Sequence, residues 1–113
     1  KSHSHKDHRV CGTVTLDACY PYARDHMHFP NHIKVEALTT HKVSEIYLWA
    51  TDNPDTFIDI SETLEQKSAS LKKHASQVRP DEVDKRVRKI GKEAGAIADL
   101  TYAEGFRRLF MRP

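Results

Sequence analysis

Imidazole and carboxylate side chains are densest at the start of the chain, in Ser4-His5-Lys6-Asp7-His8. An imidazole is a common zinc ligand, and a carboxylate beside it can orient the ring or bind the metal itself. His5, Asp7 and His8 are therefore the candidate site. Spacing alone leaves a plainer reading open, because histidines near a terminus also occur in disordered tails and tag remnants; His3, His5 and His8 do not form the unbroken run of a tag. A catalytic zinc takes three protein ligands and keeps a position for water. No HExxH and no second HxxH cluster follows to complete that set.

The elements that must carry these residues can be read from periodicity. Val10, Val14, Leu16 and Ala18 with Cys19 have roughly helical spacing, and Asp7 is a suitable capping residue, which predicts a helix over Asp7 to Cys19 that stops near Pro21. Pro21 to Thr40 holds two prolines and His26, His28 and His32 without a period, and is expected to be irregular with at most one short helical turn. Val43 to Ala50 mixes β-branched and aromatic residues and reads as a strand at least half buried. A second strand is expected over Thr56 to Ile60, after the turn Asp52-Asn53-Pro54-Asp55. Ile60, Leu64, Leu71, Ala75 and Val78 then share a face, which predicts a helix over Ser61 to Gln77. Pro80 with Asp81 and Glu82 starts the clearest helix, Asp81 to Ala98, in which Val83, Val87, Ile90, Ala94 and Ile97 repeat at alternating four and three. Gly95 and the run Tyr102 to Leu109 predict a closing turn and a final short strand. The fold class is α/β, and Trp49 reads as a core residue of its strand in preference to a sugar-stacking platform.

Bulk properties exclude several functions. The 113 residues fit a single domain able to bury a core. Eighteen Lys and Arg against 16 Asp and Glu give a formal charge of only +2, so no basic field exists to hold phosphates and nucleic-acid binding is not expected. Cys11 and Cys19 match neither a CxxC knuckle nor a disulfide framework and read as reduced thiols. No apolar run reaches the roughly 18 residues of a membrane span, and no signal-peptide pattern opens the chain, so a cytoplasmic protein is expected. The chain opens on Lys1 immediately before its chemically richest segment, which suggests a fragment.

Longer matches go beyond spacing. His5-Lys6-Asp7-His8-Arg9, then Gly12 and Leu16-Asp17-Ala18, resembles the HxDHR segment and following helix of LmbE-like (PIG-L type) N-deacetylases. Tyr20-Pro21-Tyr22-Ala23-Arg24-Asp25 with Phe29-Pro30 is similar to that family's "YPxARD...FP" loop, and His41-Lys42-Val43-Ser44-Glu45-Ile46-Tyr47-Leu48 to its "HKVxEIYL" strand. His74-Ala75-Ser76-Gln77 resembles its "HxSQ" helix end, and Tyr102 to Leu109 its "YAExFRRL" close. These matches run in order along almost the whole chain.

The resemblance implies the C-terminal part of a Rossmann-like three-layer fold, and a zinc amidase that removes an acetyl group from an N-acetylglucosamine-type sugar or conjugate. It makes His8 a zinc ligand, Asp7 a group supporting that segment, and His5 an oxyanion donor or acid; zinc would lower the pKa of its water toward about 7 and polarise the acetamide. The family's two other ligands and its general base lie in an "AHPDDE" segment, which occurs nowhere in this chain. Residues 1–113 thus read as the C-terminal half of one domain, inactive alone, whose partners are the missing N-terminal half and an acetylated sugar, with homo-oligomerisation left open. The competing function is a non-catalytic binding or structural module that keeps the family fold and pairs with a separate catalytic chain. His41 and His74 recur in the family pattern but are not expected to bind metal. His26, His28 and His32 suit either a substrate-shaping or a merely solvated loop, and Arg107 and Arg108 read as a surface pair.

Overall fold

The computed structural model describes residues 5–111, so His3 and Ser4 lie outside the described residues. The elements in order are α1 (Lys6–Asp17), a wider helical turn (Ala18–Tyr22), α2 (Pro30–Lys34), β1 (Glu45–Leu48), β2 (Thr56–Asp59), α3 (Leu64–Lys72), α4 (Pro80–Ala98) and β3 (Ala103–Phe110). The fold is α/β, as the periodicities predict. No helix among the described residues is long and apolar enough to cross a membrane.

The chain forms two compact units, Asn53–Phe106 and the remainder on either side of it. In the Asn53–Phe106 unit, β2 pairs antiparallel with the first half of β3, from Thr56 opposite Phe106 to Asp59 opposite Ala103. Ile60, Leu64, Val83 and Val87 form the core, with Leu71, Val78 and Tyr102 packed against it. Burying side chains of this size contributes about 1.5–3 kcal/mol each, an upper bound because the unfolded chain already hides some of that surface.

Two helices differ from their sequence reading. α3 begins at Leu64 instead of Ser61, because the Asp59 carboxylate takes the Ser61 N–H at 2.9 Å and the Thr63 hydroxyl donates to the Ile60 carbonyl at 3.3 Å. Such local side-chain bonds satisfy the backbone in a turn and delay the helix. It ends at Lys72, and His74 to Val78 fold into turns closed by Gln77 and Val78 N–H bonds to the His74 carbonyl.

α4 follows its predicted span, with Pro80 in the first turn and Asp81 and Glu82 at the positive end of its dipole. Its buried line, however, is Val83, Val87, Gly91 and Gly95, while Ile90 and Ile97 are 50% and 70% exposed. The glycines decide this: a methyl on Gly91 would stand 3.3 Å from Cδ1 of Tyr102, and one on Gly95 only 2.5 Å from the Leu100 carbonyl oxygen. The chain after α4 can turn back this closely only where no side chain stands. Asp99 makes that turn in the left-handed region, at φ 58, and the Leu100 N–H bonds the Gly95 carbonyl at 2.8 Å.

In the other unit, β1 pairs antiparallel with the second half of β3, from Glu45 opposite Phe110 to Leu48 opposite Arg107. Ile46 is the only buried residue among those described there. α1 buries none of its side chains, and Val10 and Val14 are at least half exposed. The strand Val43 to Ala50 is therefore shorter and less buried than its composition suggests.

Candidate functional site

His5, Asp7 and His8 meet at the first turn of α1. The cap is His5 and not Asp7: the His5 backbone is extended, and its Nδ1 accepts the Asp7 N–H at 3.2 Å. This bond satisfies one of the helix's orphan donors. It also sets the tautomer, since an accepting Nδ1 carries no proton and a neutral His5 must then hold its proton on Nε2, as a donor. Asp7 occupies the first turn, where its charge offsets the positive end of the helix dipole.

His8 follows His5 by three positions, which puts them on neighbouring positions of the helix surface. Their ring centroids are 5.1 Å apart with planes tilted by 35°. Both are exposed. The His8 ring also lies 5.4 Å from the Trp49 ring, tilted by 60°. Trp49 sits just past the end of β1 and is 62% exposed, so it is not the core residue its strand context suggests. The alternation of β1 continues into it: Ile46 is buried and Leu48 partly so, which leaves Tyr47 and Trp49 to the exposed face, and Ala50 at φ 54 bends the chain directly after Trp49. No local pattern signals that Trp49 stands beside His8. A groove of about 240 Å³ runs between α1 and β1 from these two rings.

The loop histidines have local occupations. His28 Nε2 lies 3.7 Å from the Asp25 carboxylate and its ring meets Tyr22 edge-on, while His32 Nδ1 bonds Glu36 at 2.8 Å and packs on Phe29. His26 and His41 line a small hollow under this loop, with the His41 N–H bonded to the Ala23 carbonyl. His74 belongs to the Asn53–Phe106 unit, in the turn after α3. Arg108 donates to Glu45 at 2.8 Å and lies over the rings of Tyr47 and Phe110, an organised pair on the β1–β3 ladder. Arg108 and the Tyr47 hydroxyl together hold the Glu45 carboxyl below its ordinary range.

Chemically, the start of α1 offers an imidazole donor, a second imidazole able to ligate a metal, and a carboxylate between them. Among the described residues no three His, Cys, Asp or Glu side chains converge into a group that could hold a metal ion. An imidazole such as that of His8 can supply a single ligand to a metal.

No protein-family model matches the chain. It is 28% identical over 110 residues to the diacetylchitobiose deacetylase of Thermococcus kodakarensis, a match covering 91% of this chain and 39% of that protein. Its fold superposes with a TM-score of 0.81 and 24% identity on an N,N'-diacetylchitobiose deacetylase from Pyrococcus horikoshii, covering 95% of this chain and 41% of the other. The chain thus spans about two fifths of each relative's length. These likenesses bear out the LmbE-like resemblance read from the sequence motifs.

Proposed function

Taking this chain as homologous to part of the LmbE-like deacetylases, we propose that the protein it belongs to is a zinc-dependent N-deacetylase acting on an N-acetylglucosamine-type sugar or sugar conjugate. The observation that carries the reading is the His5–Asp7–His8 cluster on the first turn of α1, in a chain similar to two diacetylchitobiose deacetylases. In the reaction water adds to the acetamide carbonyl, the C–N bond breaks, and acetate leaves while the sugar nitrogen takes up a proton.

His8 is the metal ligand that this chain contributes. When bound, zinc polarises the carbonyl and makes its water acidic. His5 donates from Nε2 to the oxygen that becomes negative as water adds, and the amides of the first turn of α1 favour charge of the same sign. Asp7 holds the turn by setting its negative charge against the positive end of the helix dipole. The remaining ligands and the general base come from the part of the protein beyond this chain, and a cytoplasmic location fits an enzyme of free sugars and conjugates.

The test is metal content and acetate release on N,N'-diacetylchitobiose by the full-length protein. His8→Ala is expected to lose most bound zinc after dialysis, since it removes one of about three protein ligands, while His74→Ala keeps it. Equal loss in both variants, or zinc retained by His8→Ala, would refute the assignment.

A further inference from the structure

We propose that Trp49 is the platform on which the pyranose ring of the acetylated sugar stacks, so that its acetamide is directed toward His8. The inference rests on the deacetylase reading of the same site. The geometric basis is the 5.4 Å approach of the Trp49 and His8 rings, two side chains far apart in sequence that the fold brings to one mouth of the α1–β1 groove.

Trp49 leaves 62% of its surface open, on a residue type that normally hides its large apolar area. A sugar ring has one face of C–H groups, whose partial positive charge suits the negative face of an indole. The rigid side chain offers this surface with little rotamer freedom to lose. The groove suits an occupant of this size: at about 240 Å³ it falls below the roughly 300–1,000 Å³ of pockets for drug-sized ligands. Gly12 lines it one turn along from His8, and the space beside its Cα is open, with no atom within 4 Å of where a methyl would stand. Ala50, held at φ 54 directly after Trp49, turns the backbone away and leaves the indole at the groove mouth. Trp49 is thus a positioning residue that selects a ring over an acyclic acetamide.

The alternative is that Trp49 packs against the rest of the protein. Trp49→Leu and Trp49→Phe in the full-length holoenzyme separate the two, because both keep apolar bulk and only Phe keeps an aromatic face. The readouts are zinc content, thermal midpoint, kcat and KM for N,N'-diacetylchitobiose, and calorimetric binding of the fully deacetylated disaccharide, which cannot turn over. Trp49→Leu is expected to raise KM and the disaccharide Kd about tenfold with zinc content and kcat nearly unchanged, the loss of one aromatic contact, while Trp49→Phe stays within about threefold of the parent protein. Leu and Phe variants that are equally impaired, a Leu variant that no longer folds, or two variants with unchanged KM and Kd would each overturn the proposal. A parent protein that binds the disaccharide through Trp49 but releases no acetate would sustain the platform and refute the deacetylase reading. One that neither binds nor hydrolyses would refute both.

Discussion

His5 is assigned two tasks at once, and a pair of substitutions separates them. Its Nδ1 caps α1 by accepting the Asp7 N–H at 3.2 Å, and its Nε2 is the proposed oxyanion donor. His5→Ala removes both. Loss of a capping side chain costs about 1 kcal/mol of stability, which lowers Tm by about 2–4 °C in a protein of some 150–250 residues. Loss of an oxyanion donor raises the barrier by about 2.7 kcal/mol, a hundredfold in kcat. His5→Ser keeps a good capping oxygen yet is too short to reach the substrate. It should therefore hold the parent Tm and full zinc content while kcat falls about a hundredfold and KM changes little, because a donor acting where charge develops contributes little to ground-state binding. His5→Ala should show the same kcat and the lower Tm. The assay is acetate release at saturating N,N'-diacetylchitobiose, with zinc stoichiometry and a thermal scan on the same preparations. A His5→Ser variant with more than about half the parent kcat would refute the donor role. One with the Tm of His5→Ala would refute the cap.

Three further outcomes test the fold. Leu64→Ala, at a site 3% exposed in the core, should cost about 2–5 kcal/mol in urea unfolding, whereas Ile97→Ala, 70% exposed, should cost under about 1 kcal/mol despite its place in the apolar repeat. Gly95→Ala should destabilise by about 1–3 kcal/mol, since its methyl would meet backbone atoms of Leu100 and Thr101 at 2.5–3.0 Å, and Gly12→Ala, with nothing within 4 Å, should stabilise α1 by about 0.5–1 kcal/mol. The hydrogen bond from Lys72 holds the Asp84 carboxyl below its ordinary range, so its stabilising contribution is present above the unfolded-state value and disappears as pH falls through the lower folded value. The Tm difference between the parent protein and Asp84→Asn should accordingly be constant above roughly pH 5 and shrink on acidification; a difference that grows toward acid would reverse the sign of the argument.

Local chemistry along the chain determined much of this protein. Pro80 with two acids fixes where α4 starts, the β-branched and aromatic runs fix β1 and β2, and three-residue spacing puts His5 and His8 on one side of a helix turn. Each is a short-range preference, complete within a few residues. Tertiary structure decided the rest. The alternating repeat of α4 names Ile90 and Ile97 as core, but the return of the chain through Leu100 to Tyr102 packs on Gly91 and Gly95 and turns the helix about its axis. The capping choice fell to His5 because a ring nitrogen could reach the Asp7 amide, although Asp7 is the commoner capping type. Trp49 shows the limit most clearly: composition makes it core, and only the folding of β1 alongside α1 brings its ring to His8. A contact across forty residues depends on which faces pack together, and no periodicity in either segment encodes that.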